Sequence, residues 1–317
     1  MAPMAGITDT PFRERLRRWG CDALSTEMIS ASALVRNHRG TIAMVDPPDR
    51  DDNTAVQLAG VKPGELEEGA RLLAAIGWKR IDFNMGCPVR KVVSTGAGAG
   101  LMRNLPLAAR CIRALRETSG VVLTVKMRSG WSPTEENYLE AGRMAEECGA
   151  DGIILHPRFR SQGYSGEADW AKIAALAGAV KIPVAGSGDV KNPGDALKCL
   201  KDYPVAAVMI GRAALAEPWI FRDAKRLLAG EEVPGRPSAG EIAADLLIQY
   251  DRLVELKGEG AAVGEIKKFA AWALKGFEMA THRRKEVMEI KDAARMRQAI
   301  MSFKDLEYRA GNSGGEG

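Results

Sequence analysis

The feature that most restricts the fold of this 317-residue chain is an alternation. From the start to about residue 229, short apolar runs of strand length recur between segments whose apolar residues follow the helical period, the order expected of parallel strands joined by helices. Eight runs fit, at residues 1–4, 22–26, 54–58, 80–84, 121–126, 152–156, 182–185 and 205–210. Eight strand–helix units in about 230 residues predict an α/β fold, a (β/α)8 barrel in preference to an open doubly wound sheet. Helix-opening signals fall between the runs: Thr10-Pro11, Asn104 with Pro106, Ser132-Pro133-Thr134 and Asn192-Pro193 each join a capping side chain to a nearby proline. The run at 1–4 is shorter than the about five residues usual for a strand. Either the barrel closes on a shortened first strand or the start of the chain has been trimmed.

Beyond the barrel the pattern changes. "GEEVPGRPSAG" (230–240) reads as a linker, and residues 241–257, about 263–279 and about 283–303 carry helical patterns. The expected organisation is a catalytic barrel over 1–229, a linker over 230–240, a smaller all-α unit over 241–309 and a disordered tail over 310–317. Lys267-Lys268 and Arg283-Arg284-Lys285 are local basic clusters in the helical unit. A net charge of +4 with both signs interspersed permits an anionic partner without demanding one. The five cysteines form no CxxC pair and the three histidines are far apart, so neither disulfides nor a metal is expected. With no apolar stretch of bilayer-spanning length and no signal-peptide pattern, a soluble, cytoplasmic, monomeric protein without membrane contact is expected.

In a barrel, polar residues at the C-terminal ends of strands carry most of the functional information. Gln57 ends one run; Asn84 and Cys87 follow the next; Lys126 and Arg128, His156 and Arg158, Ser187 to Asp189, and Gly211 with Arg212 occupy the corresponding places further on. Taken singly, each has a bland explanation, an amide capping a loop or a histidine in the core. Their recurrence at one edge points to a site. The glycines of "VAGSGDV" and "IGRAAL" free backbone amides, with Arg212 beside a helix start at about Ala213, and predict an anion site for a phosphate. "GAGAG" (96–100) follows a basic loop instead of a strand, so it reads as a mobile loop and not as a dinucleotide fingerprint. Lys126 would stabilise negative charge on a bound ring. Cys87, in a Gly-Cys-Pro turn at the barrel mouth, is a candidate general acid, because an ordinary thiol is mostly protonated at neutral pH.

With those residues placed, the chain resembles the tRNA-dihydrouridine synthases, and the bacterial B-type branch above the others. The resemblance runs through "APMAGITDTPFR", "VQLAG", "IDFNMGCPVRKV", "LTVKMRSGW", "HPRFRSQGYSGEADW", "IPVAGSGDV" and "MIGRAALAEPWIF", and more loosely through "GEIKKFAAWALKG" and "THRRKEVMEI". It implies an FMN enzyme in which NADPH reduces the flavin, hydride passes to C6 of a uracil in tRNA, and Cys87 protonates C5. By the same resemblance Pro3, Met4 and Ala5 lie against the flavin, Gln57 and Lys126 meet its ring, and Ser187, Gly188, Asp189, Gly211 and Arg212 meet its ribityl phosphate region. His156 would border both flavin and uracil. Asn84 and Arg128 would face the uracil, while Arg90, Lys91, Arg158, Arg160, Lys267 and Lys268 would meet tRNA, the target nucleotide being turned out of its stack. The chain departs from the family's common pattern at Pro157, Phe159, Ser187 and Phe269.

Other readings share parts of this pattern. An FMN barrel acting on a free pyrimidine or on dihydroorotate has the same fold and cofactor, and fold alone does not decide substrate. A folate- and flavin-dependent RNA methyltransferase could use the scaffold too, though Cys87 in its proton-donor setting argues against it. A catalytically idle RNA-binding barrel is the alternative of a different class.

Overall fold

The computed structural model describes residues 1–46, 52–118 and 120–309. Seven parallel strands, β1 (Leu24–Ser30), β2 (Thr54–Ala59), β3 (Arg80–Met85), β4 (Val122–Gly130), β5 (Gly152–Phe159), β6 (Val184–Ser187) and β7 (Ala207–Met209), pair with their neighbours in chain order. Residues 1–4 form no ladder, a departure from the eight strands expected. They nevertheless bridge the two ends of the sheet: the Ala2 amide donates to the Ile210 carbonyl beyond β7 (2.8 Å), and the terminal amine of Met1 donates to the Ala23 carbonyl just before β1 (2.7 Å). The first strand of the (β/α)8 plan is thus replaced by hydrogen bonds that reach both edges of the sheet without forming a ladder. β1 also runs past its expected end at residue 26, through a register shift between Ser25 and Met28. The polar Ser25, Thr26 and Glu27 hide that extension from an apolar-run criterion.

The strands alternate with period two, and the two faces differ in chemistry. Val56, Leu58, Ile81, Phe83, Leu123, Val125, Met127, Ile153 and Leu155 are all buried. This is the face toward the helices: a β-carbon on Gly142 of the helix Tyr138–Glu147 would stand 3.6 Å from the Met127 terminal methyl. The helices answer with apolar residues at helical spacing, Leu66, Ala70 and Leu73 in Pro63–Ala75 and Ala108, Ile112 and Leu115 in Leu105–Arg116. Inside the barrel, by contrast, the register sets Asp82 beside Thr124, Asn84 beside Lys126 and Arg128 beside His156. The upper layers of the interior are polar where a purely structural barrel would hold branched aliphatics.

The chain separates into two compact units: Met1–Thr10 with Asp22–Gly211, and Pro11–Cys21 with the chain from Arg212 onward. Within the second unit, Asp245 of the helix Ala239–Lys257 accepts from Arg15 Nε (2.5 Å), Arg18 Nη2 (3.0 Å) and Trp19 Nε1 (2.8 Å). Phe12 packs on Phe269 with ring centres 4.8 Å apart. Residues 11–21 therefore supply most of the helix Thr10–Arg18 to this unit, although they follow the first barrel segment in sequence. The 230–240 segment is fastened within the same unit, because Arg236 lies over the rings of Tyr308, Phe277 and Trp219 and donates to the Lys275 carbonyl. The tail at 310–317 lies outside the described residues.

Arg15 is 2% exposed, and its charge depends on Asp245. Removing one partner of a buried pair leaves the other charge without compensation, so Asp245→Ala should cost about 3 kcal/mol in a chemical-denaturation curve. A midpoint unchanged from the parent protein would contradict this.

Candidate active site

The polar interior converges on the turn after β3. Asn84 is the penultimate residue of that strand, and its Oδ1 accepts from the Gly86 amide (3.1 Å) and the Cys87 amide (2.9 Å), an Asx-type turn that fixes the peptide carrying the thiol. Arg128 Nε donates to the Gly86 carbonyl at 3.0 Å. On the far side the Ala99 amide donates to the Cys87 carbonyl at 3.0 Å. The "GAGAG" segment is therefore a packing element against Cys87, its last residues opening the 3-10 turn Gly98–Arg103. Gly98 has φ +59°, and a β-carbon there would come within 2.7 Å of the Cys87 carbonyl oxygen and 3.1 Å of Cys87 Cβ. Gly98→Ala should cost about 1 to 3 kcal/mol and loosen this turn. The expected result is a severalfold faster alkylation of Cys87, followed by mass spectrometry; an unchanged rate with unchanged stability would refute the packing role.

Cys87 is half-buried, and the other four cysteines are buried. Burial pushes the Cys111 and Cys199 thiols up to about 11, which leaves both inert at neutral pH. Lys126 points inward from β4, half-buried, on the register of Asn84. Burial pulls its ammonium down to about 8, opposed by the charge of Asp82. Asp82 is fully buried, and burial pushes its carboxyl up to about 6 against the opposing pull of Gln57, Thr124 and Lys126. Gln57 Nε2 donates to Asp82 Oδ2 (2.7 Å), Thr124 Oγ1 donates to Asp82 Oδ1 (2.8 Å), and Asn84 Nδ2 donates to Gln57 Oε1 (2.8 Å).

A second cluster closes the β5 and β6 loops. Arg158 is buried and donates to Asp189 (2.7 and 2.9 Å), to the Ser165 carbonyl (3.1 Å) and to the Gly166 carbonyl (2.6 Å). Its Nη1 also lies 3.2 Å from His156 Nε2. Because a guanidinium can only donate, that ring nitrogen accepts, and His156 carries its proton on Nδ1. Asp189, at φ +53°, also takes the Ala168 amide at 2.7 Å. Arg158 was expected to meet RNA; its hydrogen bonds are spent inside the barrel loops. Arg128 likewise binds the Phe159 and Gly163 carbonyls (3.0 and 2.8 Å) besides that of Gly86, tying the β3 turn to the β5 loop. It also underlies the exposed ring of Tyr164 at 5.5 Å.

The remaining expected residues are distributed as follows. Pro3 and Met4 are half-buried and Ala5 is exposed, with the turn held by Thr8 Oγ1 accepting from the Met4 amide at 3.1 Å. Ser187 ends β6 and is buried; a β-carbon at Gly188 would press on Ala168 at 2.7 Å and on His156 at 3.2 Å. Gly211 follows β7 in the barrel unit. Arg212 begins the second unit, exposed, ahead of the single-turn helix Ala213–Ala216. Arg90 and Lys91 stand exposed on the short helix Arg90–Val93 beyond Cys87. Arg160 lies over Trp131 at 4.6 Å, with Arg103 over the same ring at 5.0 Å. In the helical unit Lys267 donates to the Met288 carbonyl and Lys268 lies 5.2 Å from the Phe269 ring. Among the described residues no cluster of three His, Cys, Asp or Glu could hold a metal, and no helix is long and apolar enough to cross a membrane.

Sequence reasoning passed over Asp82, Thr124 and Gly98. Asp82 was legible, since in "IDFN" it occupies the inward register of Asn84 one layer down.

A parallel barrel with an acid, a lysine and amides on its inner face, and one accessible thiol at its mouth, is the framework of a barrel enzyme. The chain belongs to the dihydrouridine synthase (Dus) family, whose model it matches over residues 1–307. It is 37% identical over 275 residues to tRNA-dihydrouridine synthase B of Xanthomonas axonopodis pv. citri, covering 87% of this chain and 83% of that protein. With tRNA-dihydrouridine synthase B of Pseudomonas aeruginosa it shares 34% identity over 304 residues, 96% of this chain and 91% of the relative. Among solved structures, histamine dehydrogenase from Rhizobium sp. 4-9 superposes with a TM-score of 0.52 at 12% identity, over 77% of this chain and 46% of that one, a likeness of fold alone.

Proposed function

We propose that this protein reduces a uridine of tRNA to 5,6-dihydrouridine, with FMN at the barrel mouth and NADPH as reductant. The observation that carries the reading is the single accessible thiol, fixed by Asn84 and Arg128 above an inward-facing lysine. The residues present fit a flavin. Lys126 brings a cation that the shifted carboxylate of Asp82 partly offsets, suiting an electron-rich ring with carbonyl acceptors, and Gln57 has a second amide hydrogen beyond the one given to Asp82. Pro3, Met4 and Ala5 would border the ring, and Ser187, Gly188 and Gly211, with Arg212 next in sequence, would meet the ribityl phosphate.

When bound and reduced, FMN would supply hydride to C6 of the uracil. Cys87 then gives its S–H proton to C5, so that H⁻ and H⁺ add across one C=C bond and a thiolate remains to be reprotonated from water. Asn84 and Arg128 hold the turn that aims the sulfur. His156, neutral and donating from Nδ1, would border the base. Asp189 acts through Arg158, whose ion pair holds the β5 and β6 loops in place. Arg90 and Lys91, exposed beyond Cys87, and Arg160 would take tRNA phosphates; Lys267 and Lys268 would do so on the helical unit.

The test is to load the protein with FMN and NADPH and offer unmodified tRNA, free uracil and orotate separately, reading dihydropyrimidine by mass spectrometry. Product from tRNA alone is expected. Turnover of the free bases without turnover of tRNA would replace this reading with a free-pyrimidine oxidoreductase.

A further inference from the structure

Asp82 lies buried on the inner face of β3, one layer below Lys126, with Gln57 facing it from β2 and Thr124 and Lys126 from β4. An ionised carboxylate only accepts hydrogen bonds, so Gln57 must turn its Nε2 toward Asp82. Gln57 Oε1 then faces Asn84 Nδ2, and Asn84 Oδ1 is left to receive the amides of Gly86 and Cys87. Reversing either amide would set donor against donor at the next link.

We infer that Asp82 is a positioning residue for the thiol: its carboxylate fixes the direction of the Gln57–Asn84 amide chain ending on the Cys87 peptide, and the same carboxylate sets its charge one layer below Lys126. One buried acid thereby serves both the group that gives the proton and the group that offsets negative charge. The inference rests on the proposed tRNA reduction for its kinetic readout, but its chemical readouts do not.

Two variants separate the two effects. Gln57→Met cuts the amide chain while leaving Asp82 facing Lys126. Cys87 alkylation should then change about tenfold and kcat should fall by at least about tenfold, with the KM for tRNA within about twofold. Asp82→Asn keeps an oxygen to accept from Gln57 but removes the charge. Cys87 alkylation should then stay within about twofold of the parent, while the pH midpoint for acylation of Lys126 drops below about 8. An unmoved Lys126 midpoint in Asp82→Asn, or parent-like alkylation in Gln57→Met, would each overturn it. If the parent protein makes no dihydrouridine, the functional reading falls, while the alkylation and acylation comparisons still decide the inference.

Discussion

Replacing Cys87 with alanine is expected to leave the fold and any bound flavin intact while lowering dihydrouridine formation on the order of 10³- to 10⁴-fold, the upper range for loss of a positioned acid. The expectation follows from the turn. Its anchors are the Asn84 side chain, the Gly86 carbonyl and the Ala99 amide, and none of them needs the sulfur. Nor can another thiol substitute, because Cys21, Cys111, Cys148 and Cys199 are buried. Single-turnover mixing makes the result specific. Hydride addition to C6 requires a proton at C5 to complete the product, so the flavin absorbance of a reduced Cys87→Ala protein should remain bleached when tRNA is added. Cys87→Ser should behave almost as badly, since a hydroxyl is a far weaker acid than a thiol. Parent-like reoxidation by tRNA in either variant would remove Cys87 from the mechanism.

How much of this was legible in the sequence depended on the range of the interactions. Local signals were readable: the alternation in "RIDFNM" and "VLTVKMR" puts Asp82, Asn84, Thr124, Lys126 and Arg128 on one face, and the pairing of β3 with β4 sets them side by side. The first segment shows where that logic stops. Its two cross-sheet hydrogen bonds depend on where Ala23 and Ile210 arrive in space, and no property of residues 1–4 encodes that. Arg158 teaches the same lesson at a single side chain. Its position after a strand suggested solvent and phosphate, yet Ser165, Gly166 and Asp189 come from two loops to take its hydrogen bonds. The assignment of residues 11–21 to the helical unit was likewise hidden, because the partner Asp245 lies 230 residues from Arg15. The glycines at 96–100 read as a mobile loop, whereas Gly98 is required by the closeness of the Cys87 carbonyl, a contact invisible until both are folded.

Lys126→Met should lower kcat by about 10³-fold, the scale on which a preorganised charge stabilises a developing anion in a water-poor site. The pH dependence gives the sharper signature. Burial sets the ammonium near 8, so it is mostly protonated at neutral pH and its charge disappears as pH rises through that value. Parent activity should therefore begin to fall on an alkaline limb near 8, and Lys126→Met, already without the charge, should lose that contribution and keep only the fall that follows loss of the Cys87 proton. Stability moves the opposite way. The folded-state value lies below the ordinary lysine value of 10.5, so between about 8 and 10.5 the unfolded chain binds more protons and Lys126 contributes a rise in stability with pH, where activity is being lost. A half-buried cation that costs stability while serving the reaction predicts that Lys126→Met melts no lower than the parent protein at neutral pH. A lower melting temperature together with an alkaline limb unmoved from the parent's would show that Lys126 is a structural partner of Asp82 and no more.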